Sequence, residues 1–211
     1  MIFKQINSGG DRNYAYLIGC ENTKLAAVAD PSPDPTLLMK EIEKYELDVI
    51  YIFNTHSHPD HTGGNDYLKK STGAKIVTFK GGGGDLEVSD GAVLNAGKVS
   101  FEFIHTPGHT QDSVCIKTGD NLITGDTLFV GKVGGTYTEE EAKVEFHSLK
   151  KLISFPENLK VWPGHNYGTA PSSTILNEKQ TNPFIQRLND FNEFLWLKQN
   201  WAAYKVEHGI K

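Results

Sequence analysis

Residues 48–64 read DVIYIFNTHSHPDHTGG, and this stretch decides the fold. The continuous apolar run at 49–53 has the form of a buried strand. It leads straight into His56, His58, Asp60 and His61, so four groups able to bind a metal stand where a strand ends. Eight histidines among 211 residues make so dense a cluster a poor match to chance. His56 and His58 can grip one ion, but a full shell needs ligands from elsewhere in the chain. Working outward, three further segments offer them. HTPGHT (105–110) sets His109 after a Pro107-Gly108 turn, LITGDTLF (122–129) sets Asp126 behind Gly125 at a strand end, and VWPGHNYG (161–168) sets His165 after another strand and a Pro163-Gly164 turn.

Short apolar runs at 2–6, 14–18 and 24–29, separated by SGGDRN and GCENT, predict three strands of an antiparallel opening sheet. Pro35 opens a helix to 47, with Leu37, Leu38, Ile42 and Tyr45 at helical spacing. A short helix is expected at 64–72, a strand at 75–79, and a mobile loop at the four glycines of 81–84. A phosphate cradle there would need a following helix with a lysine, which the sequence does not offer. Strands are expected at 99–105, 113–117, 121–124 and 160–162. Residues 139–153 predict a helix with Ala142, Phe146, Leu149 and Ile153 on one face and three glutamates in its first turn. Residues 175–204 read as mostly helical. Two runs of strands interleaved with helices predict a layered α/β protein, helices outside two sheets. A single domain over 1–211 is expected, ending in a short, mostly helical segment from about 175.

Lys and Arg number 21 against 26 Asp and Glu, a net charge of −5, with Arg12 and Arg187 the only arginines. A nucleic-acid binder would carry a basic footprint instead. No stretch of 18 apolar residues and no leader-like start occur, so a soluble, unexported, cytoplasmic protein without a membrane partner is expected. Cys20 and Cys115, far apart and without CxxC spacing, read as reduced, packed thiols. His105, His147 and His208 fall outside the motifs and read as structural or solvated.

In order along the chain, THSHPDH, PGHT, TGDTLF and PGHNY resemble the signature segments of the metallo-β-lactamase superfamily, and most closely those of its glyoxalase II (hydroxyacylglutathione hydrolase) branch. The resemblance spans residues 1 to about 170. It implies an αββα four-layer sandwich holding two divalent metal ions, zinc foremost, with iron or manganese also suited to mixed imidazole and carboxylate ligands. Carried over position by position, His56, His58 and His109 would hold the first ion, Asp60, His61 and His165 the second, and Asp126 would bridge them. Asp60 and Asp126 are then the carboxylates at the reaction centre. Two ions sharing a carboxylate and a water bring that water's pKa towards neutrality. The implied reaction is attack of metal-bound hydroxide on a thioester, at a rate rising with pH. The thiolate, with a solution pKa of about 8.5, leaves without a general acid. Asp30, closing AAVAD, resembles the superfamily's strand-end aspartate, for which a structural hydrogen-bonding role is expected.

Tyr167 falls where the family's GHEY segment has the tyrosine that contacts the thiol moiety of glutathione. The family's GCGKFYEG-like loop reads VGKVGGTY here (130–137), making Lys132 and Tyr137 further substrate-contact candidates. The C-terminal RLNDFNEF and LKQNWAAYKVEHG do not carry the family's basic pair in register, which predicts loose discrimination among small-molecule thiol carriers. The alternative is a persulfide dioxygenase, which would hold one iron at His56, His109 and Asp126. Its loop usually reads GRTDF, and Gly135 replaces that arginine here. A lactone or phosphoester hydrolase of the same fold is a further alternative. β-Lactam hydrolysis is disfavoured, because zinc β-lactamases place a cysteine in the second set and lack the bridging aspartate. A metal-stabilised binding module is also disfavoured, since structural zinc sites are closed and rarely need seven ligands. The acyl group, the thiol carrier and the oligomeric state stay open.

Overall fold

The computed structural model describes residues 1–210; Lys211, which ends the expected C-terminal segment, lies outside the described residues. The first half of the chain runs β1 (Ile2–Gly9), β2 (Asn13–Gly19), β3 (Leu25–Ala29), α1 (Pro35–Tyr45), β4 (Asp48–Phe53), α2 (Pro59–Thr62), α3 (Asn65–Thr72), β5 (Lys75–Phe79) and β6 (Leu86–Val88). These strands form one six-stranded sheet in sequence order. β1 to β3 pair antiparallel, as the turn-rich opening predicts. β3 to β6 pair parallel, with α1 and α3 in two of the connections. α1 starts where Pro35 needs no hydrogen-bond acceptor and Asp34 accepts from the Thr36 amide at 3.1 Å.

The second half runs β7 (Val93–Ala96), β8 (Val99–His105), β9 (Val114–Thr118), β10 (Asn121–Gly125), β11 (Leu128–Phe129), β12 (Lys132–Val133), α4 (Glu139–Ile153), β13 (Lys160–Pro163), β14 (Ser173–Thr174), α5 (Ile175–Thr181), a 3₁₀ turn (Ile185–Arg187) and α6 (Phe191–Glu207). A second six-stranded sheet has the order β14-β13-β10-β9-β8-β7. α4 returns the chain so that β13 lies parallel to β10. α4 also starts with a full capping box between Thr138 and Glu141.

Alternation along the strands sorts the side chains into layers. Tyr16 and Ile18 of β2 join Phe53, Phe101, Phe103, Ile116 and Ile123 between the sheets. Ala15 and Leu17, on the other face of β2, pack with Leu38, Ile42 and Leu68 beneath α1 and α3. Leu122 and Val161 meet Phe146, Leu149, Phe194 and Leu197 beneath α4 and α6. This is the expected αββα sandwich, with three apolar interfaces between four layers. Each fully buried Phe, Leu or Ile stabilises it by roughly 1.5–3 kcal/mol. Cys20 and Cys115 are buried and unbridged, the first between the sheets and the second beneath α4. No helix among the described residues is long and apolar enough to cross a membrane.

Several elements depart from the sequence reading. β6, the β11–β12 hairpin and β14 are two or three residues long, too short for an alternating pattern. The C-terminal helix breaks at Asn182, whose extended ψ of 116° precedes Pro183, because proline disfavours the helical conformation in the residue before it. The amides of the glycines at 81–84 are bonded within their own loop. The Gly81 and Gly83 amides donate to Glu87 Oε1 at 3.1 and 3.2 Å and the Gly84 amide to Thr78 Oγ1, so these donors are spent on the protein itself.

Candidate metal centre

Backbone hydrogen bonds stitch the strand ends together along one edge of the sandwich. Val114 N donates to Thr55 O at 2.8 Å, Tyr14 N to Gly164 O at 2.8 Å and Gly164 N to Gly125 O at 2.8 Å. Buried Tyr16 crosses between the sheets and donates its hydroxyl to Pro163 O, two residues before His165. The four motif segments are therefore held against one another by main chain before any side chain is considered. Pro59 opens α2 at His58, and this single turn sets Asp60 and His61 side by side.

All seven predicted ligands meet at this edge. His58 Nδ1 lies 3.0 Å from His56 Nε2 and 3.1 Å from His109 Nε2. His165 Nε2 lies 3.2 Å from His61 Nε2 and 3.4 Å from Asp60 Oδ2. Asp126 stands between these sets: Oδ2 is 3.7 Å from His109 Nε2 and 3.4 Å from His165 Nε2, and Oδ1 is 3.4 Å from His61 Nε2. The sets His56, His58 and His109 and Asp60, His61 and His165 each bring three ligand atoms close enough to share an ion.

Three observations show that these residues suit a metal. First, the imidazoles are oriented from behind. His61 Nδ1 donates to Asp30 Oδ2 at 2.9 Å, His109 Nδ1 to Gly135 O at 2.8 Å and His165 Nδ1 to Asp11 O at 2.8 Å. His56 Nδ1 faces Thr55 Oγ1 at 3.2 Å, whose own proton goes to Asp30 Oδ2. In the neutral imidazole each of these Nε2 atoms is thereby left as a lone pair facing the centre, the arrangement metal-binding histidines use. Second, Asp126 Oδ1 is buried without a hydrogen-bond donor. Third, a Cβ on Gly164 would stand 2.4 Å from Asp126 Oδ1 and 2.9 Å from His61 Cε1, so only glycine leaves the space open. Gly164→Ala is expected to fold normally yet bind zinc roughly tenfold to a hundredfold more weakly. Unchanged affinity in a chelator-competition titration would count against this.

Charge follows burial. Burial, then the charge of His61, pushes His56 down to about 2, keeping it neutral for coordination. Burial also lowers His61, but the Asp30 carboxylate outweighs it and raises this group to about 9 in the metal-free chain. Asp126 is held well below the usual carboxylate range because His165 and His61 outweigh its burial. Asp30 thus has the hydrogen-bonding role expected of it, accepting also from Thr55 N at 2.8 Å.

The candidate substrate residues line a cleft of about 530 Å³ beside the centre. The Tyr167 ring stacks on His165 with centroids 4.6 Å apart, and its hydroxyl donates to Asp11 Oδ2 at 2.6 Å. Lys132 Nζ donates to Tyr167 O at 2.7 Å, and Tyr137, 89% exposed, stands at the rim. Arg12 and Lys205 line the same cleft, and their charges, after burial, lower the Lys132 ammonium. Cations absent from the expected register are therefore supplied by the β1–β2 turn and α6. Asp11, Arg12 and Asn13 were legible only as turn residues. Yet Asn13 Nδ2 donates to Asp60 Oδ2 at 3.0 Å, and Arg12 lies 4.7 Å over the Tyr167 ring. His105, outside the centre, stacks on Phe79 with centroids 3.9 Å apart and contacts Gln111 O at 2.9 Å.

The Metallo-beta-lactamase superfamily profile matches residues 8–165. A probable hydroxyacylglutathione hydrolase of Schizosaccharomyces pombe is 38% identical over 200 residues, covering 89% of this chain and 77% of that protein. A second from the same yeast is 33% identical over 195 residues, covering 87% and 75%. Among solved structures, ETHE1 from Myxococcus xanthus superposes with a TM-score of 0.88 at 30% identity, covering 95% of this chain and 91% of that one.

Proposed function

Because this chain belongs to the metallo-beta-lactamase superfamily, we propose that it is a metal-dependent hydrolase of thioesters, acting as a hydroxyacylglutathione hydrolase does. The observation that carries the reading is Asp126, between two three-residue ligand sets, with Oδ2 facing His109 of one and His165 of the other and Oδ1 facing His61. His56, His58 and His109 would hold one ion, Asp60, His61 and His165 another, and Asp126 both, zinc being the ion we favour. Such ions, when bound, activate water as a nucleophile near neutral pH and polarise a carbonyl.

The chain's own residues do the rest. Asp30, Thr55, Gly135 O and Asp11 O keep the His56, His61, His109 and His165 rings in one orientation, so these four need little rearrangement when the site fills. Tyr167, fixed by Asp11 and stacked on His165, forms a rigid wall between the centre and the cleft, against which a thiol carrier can lie. Lys132, Arg12 and Lys205 give that cleft a cationic side in a protein of net charge −5, suiting a carrier with carboxylates. Tyr137 at the rim would contact the far end of that carrier. The chain would act as a single catalytic domain over residues 1–211.

The test is release of free thiol from S-lactoylglutathione by the zinc-loaded protein, with the iron-loaded protein in parallel. A persulfide dioxygenase is the second reading, since His56, His109 and Asp126 lie together and could hold a single iron. Gly135, standing where the loop of such enzymes usually has an arginine, weighs against it. Oxygen-dependent sulfite formation from glutathione persulfide, without thioester turnover in either metal form, would overturn the hydrolase in its favour.

A further inference from the structure

Lys198 of α6 and Glu145 of α4 form a buried pair, with side chains 9% and 0% exposed, and Lys198 also lines the cleft beside the centre. Lys198 Nζ donates to Glu145 Oε2, while Glu145 Oε1 is buried without a partner. Burial pushes the Glu145 carboxyl up to about 7 even with Lys198 opposing it. An ionisable pair in so apolar a setting contributes little net stability compared with packed hydrocarbon. Docking of α6 on α4 is already supplied by Phe194 and Leu197 against Phe146 and Leu149.

The pair's other contacts point towards the metal centre. Lys198 Nζ also donates to Gly134 O at 2.8 Å. The next carbonyl, Gly135 O, accepts the His109 Nδ1 proton at 2.8 Å. Gly134 is pressed against the site's backbone, since a Cβ there would lie 2.1 Å from Asp126 O and 3.1 Å from His109 Cβ. Glu145 lies equally close behind the turn that carries His109: a Cβ on Gly108 would meet Glu145 Cβ at 2.4 Å and its Cα at 2.5 Å. The turn that carries His109 therefore rests on α4 at Glu145, and the loop behind the His109 ring on the Lys198 ammonium.

We propose that Lys198 is a positioning residue for the first ligand set, pinning the Gly134 carbonyl from α6 so that the Gly135 carbonyl keeps the His109 ring aimed at the centre. This couples the C-terminal helix to metal affinity. It rests on the reading of His56, His58 and His109 as metal ligands, and not on the substrate.

Zinc binding by the whole chain tests it, through competition with a chromophoric chelator and ¹⁵N-histidine spectra of the His109 ring. Lys198→Met is expected to weaken one binding step by roughly tenfold to a hundredfold, the usual loss when a ligand's outer partner goes, and to speed exchange of the His109 Nδ1 proton. Glu145→Gln keeps an acceptor for Lys198 and should stay within about threefold of the unaltered protein, the context scatter expected of a neutral hydrogen-bonding replacement. The double variant Glu145→Leu/Lys198→Met replaces the pair with hydrocarbon, so it should recover the urea midpoint while zinc binding stays weak. It also decides the matter if the single variant does not fold. Zinc affinity and His109 exchange like those of the unaltered chain in the double variant would overturn the proposal. An unaltered chain that takes up no zinc would overturn it together with the metal reading. Failure to cleave thioesters would count only against the substrate.

Discussion

Asp126→Ala is expected to abolish stable loading of both ions and to lower kcat/KM by roughly a thousandfold or more, since metal activation contributes several kcal/mol to the barrier. The reason is position. Asp126 alone faces His109 of one set and His61 and His165 of the other, and its buried Oδ1 has no hydrogen-bond donor in the protein. Removing it leaves five imidazoles facing one another with no negative charge between the sets. His165→Ala is the contrasting variant. It should keep close to one zinc, because His56, His58, His109 and Asp126 remain. Elemental analysis after gel filtration reads both, expecting about two equivalents in the unaltered chain. Two tightly held ions in Asp126→Ala would remove the bridging role.

Asp30 carries the second large effect, although it would touch neither metal nor substrate. It is 1% exposed, has a left-handed φ of 51°, and accepts from Thr55 N, Thr55 Oγ1 and His61 Nδ1. Alanine leaves three buried donors unpaired, at about 1–3 kcal/mol each, and strains the backbone by about 1 kcal/mol more. That sum approaches the whole stability of an ordinary domain. A collapse of the urea midpoint or insoluble protein is therefore expected. Asp30→Asn is the more informative change. Its amide group turns donors towards His61 Nδ1, favouring the tautomer with the proton on Nε2, where the ligand lone pair should be. Asparagine tolerates the left-handed backbone, so the fold should survive while affinity at the second set falls roughly tenfold to a hundredfold. Full zinc affinity in Asp30→Asn would show that the carboxylate does not set the His61 tautomer.

Much of the architecture was legible because its signals are local. The apolar run of β4, the Pro35 start of α1 and the one-faced pattern of α4 each lie within a few turns of chain. Elements without such a signal were not legible: the two-residue strands of the β11–β12 hairpin and of β14, and the single turn α2 that sets Asp60 and His61 side by side. The family's basic pair was sought in the C-terminal segment by register. The cleft instead draws its cations from Arg12 and Lys132 as well as Lys205, an arrangement no register in one segment could reveal.

The layered fold was legible because strands and the turns that end them are written in a handful of neighbouring positions, and the seven candidate ligands because the motifs that carry the family resemblance stand at those strand ends. What stands behind those candidate ligands depends on packing across the whole chain. Asp30 pairs with His61 across 31 positions, Lys198 with Glu145 across 53, and Asp11 O with His165 across 154. Hydrogen-bond partners are chosen by which groups the packed sheets and helices bring within about 3 Å. An aspartate in a turn reads the same in sequence whether that packing leaves it in water or seats it beneath a histidine.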